Sequence, residues 1–321
     1  MKQNLKKFYT ILLLLTGVVL KINVLGQTVT PTATNWSCGN ENLSPSTYTY
    51  LAAQQSTFRS NAPASPTAGQ WVVPVVVHVL FDAAHATNDS FNISYQQIQW
   101  QISQLNRGFQ NLISPGGMPF STNVDVQFCL AQTAIGTTWQ NNNERGVMRY
   151  QVPTATLSHT INTPGQNNLL TATGVPTAFP FQSYLNIWLV NEIVDTTGGT
   201  PNTGVIGYAA FPGTLSPAIP LDGIVMIQKS FGSNVIPNHQ NILMPQLDQG
   251  NILTHEVGHY FSMLHTFEFG NCVGGTNATC ALQGDLICDT PPSNIANTIC
   301  NQLNTCPDNL TVYGGLTNSI C

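Results

Sequence analysis

Three histidines and one glutamate lie close together in the second half of the chain, between positions 255 and 265. His255 and His259 are one helical turn apart, so a helix projects both imidazoles from nearly the same face. Glu256 follows the first histidine. This H-E-x-x-H pattern is typical of a zinc site at which the glutamate acts as a general base. His265 supplies a third nitrogen if the helix ends and the chain turns back, which leaves a fourth zinc position for a reacting water. The alternative is a polar helix whose histidines are hydrogen-bonded by their neighbours.

The same stretch resembles the zinc-binding motif of the metzincin metallopeptidases. Together with Leu264-His265-Thr266-Phe267, this motif is most similar to that of the pappalysin/cytophagalysin family of secreted metalloendopeptidases. Shorter similarities, within residues 75–79, 128–131, 185–188, 207–213 and 289–291, extend the resemblance from about Trp71 to the end of the chain. The resemblance implies an α/β (α+β) metzincin-like fold. This fold has a twisted mixed sheet, a backing helix and an active-site helix, followed by a disulfide-rich C-terminal subdomain.

The resemblance also implies roles for individual residues. Zn²⁺ is held by His255, His259 and His265, and Glu256 is the general base for hydrolysis of a protein or peptide substrate. An edge strand at the rim of the cleft is implied for the run Gly207, Tyr208, Ala209, Ala210 and Phe211. An extended substrate can add to such a strand by main-chain hydrogen bonding, although these residues could equally form an ordinary edge strand.

A structural Ca²⁺ site is implied for the loop after the zinc motif. Its ligands would be Asp285, Asp289 and Thr290, in a loop where relatives carry calcium. The alternative is that these are turn-forming residues before Pro291.

The chain departs from the metzincin pattern at two places. Ser262 stands where the pattern has glycine, at a helix end that needs a left-handed backbone, at a cost on the order of 1 kcal/mol. No methionine follows Met263, so the Met-turn that metzincins carry below the zinc is missing and the chain is expected to stop before it. A rival function follows: a secreted binding or adhesion module that keeps zinc and has lost catalysis.

The ends of the chain predict export. Residues 1–26 read as a signal peptide, with lysines before an apolar run that is short for a membrane span. Residues 27–70 read as a pro-segment or a disordered spacer that ends in a linker, and residues 71–321 as the catalytic domain. Loss of the signal peptide removes four of the 9 basic residues and none of the 14 acidic ones. We therefore expect a secreted protein with no stable membrane span and no nucleic-acid partner. The sequence does not indicate an oligomeric state.

Eight cysteines in an exported chain indicate disulfides, and six of them follow the zinc motif. Cys38 is the only cysteine before the linker. Resemblance to metzincin zymogens suggests that its thiolate occupies the open zinc position and keeps the chain latent. An ordinary disulfide from Cys38 is the alternative.

Periodicity predicts the elements around the motif. We expect a buried strand from Val72 to Phe81, with His78 as a core histidine and Pro74 near the start of the strand. A capping box from Ser94 to Gln97 begins the backing helix, whose stripe of Ile98, Ile102, Leu105 and Phe109 is core.

Further strands are predicted over residues 124–130, 184–194, 204–211 and 223–227. Residues 151–180 read as surface loops that include His159. Asp248 is the predicted N-cap of the zinc helix, which should run to about Met263.

Overall fold

A computed structural model describes a large part of the chain. The residues it describes are 37–38, 46, 48–54, 71–85, 89, 91–112, 123–134, 138–161, 179–180, 183–196, 200–211, 223–234, 243, 247–268 and 285–287. Within them, the strands are β1 Ser37–Cys38, β2 Trp71–Phe81, β3 Val126–Leu130, β4 Val147–Gln151, β5 Ser158–Ile161, β6 Leu185–Val190, β7 Glu192–Asp195, β8 Asn202–Ala209 and β9 Ile224–Ile227. The helices are α1 Tyr95–Phe109 and α2 Asn251–Tyr260, with a short helical segment over residues 48–54 and 3₁₀ turns at Thr154–Leu157 and Gln228–Ser230.

The strands form one mixed sheet, ordered β3-β2-β6-β9-β8-β7-β5, with β4 and β1 pairing to β2 and β8 off this path. β2 pairs in parallel with β3 and then β4 along one edge, and with β6 along the other. β9 continues the parallel part beyond β6. β8 is antiparallel to β9, β7 is antiparallel to β8, and β5 completes the order by pairing in parallel with β7. The predicted mixed sheet is therefore present.

The apolar run of β2 forms the middle of the core. Residues 75–80 are all buried, as a strand covered on both faces requires. Pro74 lies before this run, as predicted. His78 is fully buried, and its Nε2 lies 2.8 Å from Oδ1 of Asn186. Its ring stacks on Trp188 at a centroid distance of 3.9 Å. His78 is thus a core histidine, as the sequence predicts.

Helix α1 backs the sheet. Its N-cap is Ser94, whose Oγ accepts from the N–H of Gln97 at 3.1 Å, and its predicted apolar stripe is buried. The side chain of Asn106 bonds both the N–H and the C=O of Phe128 in β3, at 2.7 and 2.8 Å. The backing helix is therefore fixed to the sheet by polar as well as apolar contacts.

Two predictions about the strands between residues 158 and 195 are wrong. The strand expected over residues 184–194 is two strands, β6 and β7, because the chain breaks at Asn191, whose N–H donates to the C=O of Leu157. His159 was expected in a surface loop, but it lies in β5 and is buried. Its Nε2 lies 2.6 Å from the hydroxyl of Tyr208. Local composition suggested a loop, and pairing with β7 overrode it.

Several predictions concern residues outside the described ranges. They include the signal peptide over residues 1–26, the linker over residues 60–66 and the disulfide-rich subdomain after the zinc motif. In the part of the chain that the structure covers, no helix is long and apolar enough to cross a membrane.

Candidate active site

Helix α2 carries the first two histidines and the glutamate, and it begins differently from the prediction. Its N-cap is Gly250, with φ 73°, rather than Asp248. The C=O of Gly250 accepts from Nε2 of Gln101 in α1 at 2.8 Å, and Oε1 of Gln101 accepts from the N–H of Gly232 at 2.7 Å. A long-range contact from the backing helix therefore holds the start of α2, which a local capping rule does not detect.

The end of α2 brings the third histidine back to the first two. The helix ends at Tyr260, three residues before the predicted end. The N–H of Ser262 donates to the C=O of His259 at 2.8 Å, and the N–H of Met263 donates to the C=O of Gly258 at 3.0 Å. These two bonds define a Schellman turn. Ser262 has φ 69°, which confirms the predicted left-handed backbone at this position.

The three histidines converge through the same ring nitrogen. Nε2 of His259 lies 3.0 Å from Nε2 of His255 and 3.2 Å from Nε2 of His265. Nδ1 of His259 lies 2.7 Å from the C=O of Met263. A carbonyl can only accept, so Nδ1 carries the proton and Nε2 presents a lone pair to the other two rings.

This arrangement fits a metal cation. Burial lowers the pKa of His265 to about 4. The pKa of His259 is well below its usual range, first because the ring is buried and then because His265 and His255 lie close to it. The rings of His259 and His265 are therefore held neutral, the state in which imidazole binds zinc. Lone pairs directed at one point are stabilised by a cation between them.

Glu256 lies beside this cluster and is completely buried. Its neighbour on the sheet is Gly207 in β8: a Cβ built on Gly207 would lie 3.1 Å from Oε1 of Glu256 and 3.2 Å from its Cγ and Cδ. Contacts of this length are tighter than most that a Cβ makes, so a side chain at position 207 would require the Glu256 side chain to move by a few tenths of an ångström. The absence of a side chain at position 207 therefore leaves room for the carboxylate of Glu256.

Cys38 lies at the open side of the three histidines. Its Sγ and the histidine nitrogens all lie within 4.8 Å of one another, and Sγ is 3.8 Å from Oε2 of Glu256. Strand β1 holds it there by pairing in parallel with β8, with Cys38 opposite Gly207. The structure thus brings together all five residues that the sequence singled out for zinc, catalysis and latency.

The rim strand is not a free edge in this chain. Gly207, Tyr208 and Ala209 belong to β8, whose edges pair with β9 on one side and with β7 and β1 on the other. Ala210 and Phe211 follow β8, and the N–H of Ala210 donates to the C=O of Gly223 at 2.9 Å. In the full chain β1 therefore covers the part of β8 next to the histidines, and the role of these residues as a substrate-binding edge stays a prediction.

The sequence missed Glu268. This carboxylate is buried, and its Oε2 lies 3.6 Å from Nδ1 of His265, the ring nitrogen that faces away from the cluster. Burial raises the pKa of Glu268 to about 7. Glu268 lies three residues after the predicted ligand His265 in a chain with few charged residues, and this spacing could have indicated its contact with the histidine.

The predicted calcium ligands are only partly described. Oδ1 of Asp285 accepts from the N–H of Ile287 at 3.0 Å, the contact expected of a turn-forming aspartate. Asp289 and Thr290 lie outside the described residues. Asp285 therefore fits the alternative of a turn-forming residue. Calcium binding stays a prediction.

Sequence comparison relates this site to known metallopeptidases. Residues 177–314 match the family described as Peptidase_M43, pregnancy-associated plasma protein-A. An extracellular metalloprotease of Colletotrichum graminicola is 36% identical over 94 residues, 28% of each chain. One from Pyricularia oryzae is 33% identical over 98 residues, 30% of this chain and 29% of its own. The chain thus spans less than a third of the length of these two curated relatives.

Comparison with solved structures supports the fold. A variant of Tannerella forsythia promirolysin has a TM-score of 0.59 and 23% identity, over 84% of this chain and 81% of its own. Mature mirolysin from the same organism, in complex with a cleaved peptide, has a TM-score of 0.51 and 25% identity, over 74% and 79%. Residues 177–314, which contain the three histidines and Glu256, match the Peptidase_M43 family model, and this match confirms the family resemblance predicted from the sequence.

Proposed function

We propose that the chain is a secreted, zinc-dependent endopeptidase held in a latent form by its own pro-segment. The observation that carries this proposal is the convergence of three Nε2 atoms beside a buried glutamate. His255, His259 and His265 would hold the zinc ion. The names of the matched relatives, extracellular metalloproteases, support both the activity and the export.

Bound zinc supplies Lewis acidity, which lowers the pKa of a water toward about 7 and polarises a peptide carbonyl. The remaining steps belong to Glu256. Its Oε2 faces the open side of the three histidines, so it can take a proton from the attacking water and return it to the leaving amine. The absence of a side chain at Gly207 leaves room for the carboxylate in this position. A site whose only task is to hold zinc has no use for this carboxylate, which argues against an inactive binding module.

Latency follows from the position of Cys38. A thiolate is a good zinc ligand, and Sγ stands among the three histidines where a reacting water would otherwise enter. Strand β1 covers the adjacent edge of β8, which an extended substrate would need. Removal of the segment would free both the metal position and the strand edge. Hydrolysis of a protein or peptide substrate would then become possible.

The test separates metal binding from chemistry. Purified chain, freed of the pro-segment by cleavage within residues 55–70, should contain about one zinc and cleave an unfolded protein substrate. Glu256→Ala keeps the three ligands, so it should retain zinc while activity falls by roughly 10²–10⁴-fold. Equal cleavage by wild type and Glu256→Ala would refute the mechanism, and well-folded wild type without zinc would refute the site.

A further inference from the structure

A second apolar cluster lies beside the histidines, separate from the main core. It consists of Leu51, Phe211, Leu264 and Leu286, none of them more than 4% exposed. Three of these belong to the part of the chain after the linker, and we name Phe211, Leu264 and Leu286 the side pocket. Leu51 comes from the segment before the linker and is completely buried.

The side pocket lies next to the candidate active site. The ring of Phe211 meets the ring of His259 edge-on, at a centroid distance of 5.7 Å. Leu264 directly precedes His265 in the chain. Phe211 thus contacts one proposed zinc ligand and Leu264 is next to another in the chain, which places the side pocket beside the candidate active site.

The occupant of the pocket is a short helix of the pro-segment. Residues 48–54 are helical, and Tyr48, Leu51 and Ala52 fall on one face of that helix and pack on the cluster. The pKa of Tyr48 is raised to about 12, first by burial and then by the carboxylates of Glu268 and Asp285. The helix therefore docks with an apolar residue in the pocket and a phenol near acidic groups.

The contact of Leu51 is distinct from that of Cys38, thirteen residues earlier. One contact is a thiol directed at a metal site, and the other is a buried aliphatic side chain. Burying a leucine contributes about 1.5–3 kcal/mol, which corresponds to a change in docking equilibrium on the order of tenfold to a hundredfold. The second contact can thus hold the segment when the thiol is lost.

We infer that the side pocket is a binding site for a large aliphatic side chain, taken by Leu51 in the latent chain and by a substrate residue once the segment has left. The second half of this inference rests on the proposed peptidase function. The first half does not, because the docking of Leu51 requires neither zinc nor catalysis. Removing the helix would uncover three adjacent apolar side chains next to the site, a surface suited to binding an apolar group.

The first experiment measures amide hydrogen exchange over residues 48–54 in the full, zinc-loaded chain. Leu51→Ala should raise the exchange rate by on the order of tenfold or more, because it removes most of the buried side chain. Gln54→Ala, at an exposed position of the same helix, is the matched control and should leave the rate unchanged. Unchanged exchange in Leu51→Ala would overturn the inference.

Two further variants complete this experiment. Cys38→Ala should keep most of the protection of residues 48–54 and raise their exchange rate by less than Leu51→Ala does, because the leucine contact persists without the thiol. Loss of that protection would show that the thiol alone holds the segment and would overturn the independence of the two contacts. Leu51→Val, a milder truncation, should give a smaller rise and serves if Leu51→Ala does not fold.

The second experiment uses the processed chain and peptides varied at one position at a time. At the peptide position that enters the side pocket, peptides with leucine should be cleaved on the order of tenfold faster than peptides with aspartate. Leu286→Ala should enlarge the pocket and shift that preference toward phenylalanine. An identical profile for wild type and Leu286→Ala would refute the substrate role. If processed wild type cleaves no peptide, the proposed function fails, while the exchange experiment still decides the docking of Leu51.

Discussion

Two buried histidines in this chain, His78 and His259, have similar exposure and different surroundings. His78 lies in the core with its Nε2 on Asn186 and its Nδ1 3.4 Å from the hydroxyl of Tyr150. His259 lies in α2 with its Nε2 facing two other imidazole nitrogens. Burial lowers the pKa of both. Burial and a lowered pKa are therefore common to a core histidine and a candidate metal ligand, and the atoms that face the ring nitrogens distinguish the two.

The largest expected effect is that His259→Ala loses zinc, whereas His78→Ala keeps zinc and loses stability. His259→Ala should reduce zinc from about one per chain to almost none after dialysis against a mild chelator, because two nitrogens hold zinc far more weakly than three. His78→Ala should keep the zinc but lower the free energy of unfolding by about 3 kcal/mol, since it removes a ring stacked in the core. Metal analysis and urea unfolding of both variants check this. Zinc loss in His78→Ala at full folding would contradict the comparison.

A second prediction uses pH to isolate the core histidine. Burial lowers the pKa of His78 to about 4, so this ring is neutral in the folded chain, while an unfolded chain takes up a proton below about 6.5. The unfolded state then binds more protons between pH 6.5 and 4, and stability from this group is lost as pH falls through that window. The loss is on the order of 3 kcal/mol.

The measurement is urea unfolding of zinc-free protein at pH 7 and pH 4. His78→Phe keeps an aromatic ring but cannot titrate, so its stability should fall less than that of wild type. An equal loss of stability between pH 7 and pH 4 in the two proteins would show that His78 does not cause the pH dependence. His159, whose pKa is also lowered to about 4 by burial, contributes in the same direction in both proteins.

A third prediction disturbs Glu256 without touching a histidine. Gly207→Ala places a methyl group about 3.1–3.2 Å from the Glu256 side chain, which must then shift. We expect kcat of the processed chain to fall by roughly tenfold, with zinc content unchanged. Gly204→Ala makes the same substitution on the same strand, three residues earlier, and is the control. Equal kcat for the two variants would mean that Glu256 tolerates the displacement.

The smallest expected effect concerns the turn after α2. Ser262 has φ 69°, a conformation that glycine adopts more easily. Ser262→Gly should raise the free energy of unfolding by roughly 0.5–1 kcal/mol without changing zinc content or kcat. Ser262→Ala retains a Cβ and should not give this gain. Thermal unfolding of the three proteins makes the comparison.

The sequence predicted the site better than it predicted the surroundings. The spacing of His255, Glu256 and His259 is set by helix geometry, and the left-handed residue at 262 follows from the need to return His265. These are local constraints, and they were predicted correctly. The N-cap at Gly250 depends on Gln101, which lies far away in the sequence. No local pattern contains that contact, which explains the wrong assignment of Asp248.

The differences between the predicted and the observed sheet have the same physical origin. His159 lies in a region whose composition suggests loops, and it becomes part of a strand only because β7 pairs with it. The rim strand β8 was predicted as an edge, but β1 from the other end of the chain covers it next to the histidines. Pairing between strands distant in sequence is decided by tertiary packing, which periodicity does not record.

The Schellman turn gives the segment between His259 and His265 a fixed length. One hydrogen bond of the turn starts at Met263, and the C=O of the same residue accepts from Nδ1 of His259. Inserting or deleting one residue here would shift Met263 away from that ring and rotate the third imidazole off its partners. Surface connections tolerate changes of length, but this one acts as a spacer whose residue count is part of the coordination geometry. Related sequences and redesigned versions of this chain should therefore have no insertion or deletion between positions 259 and 265.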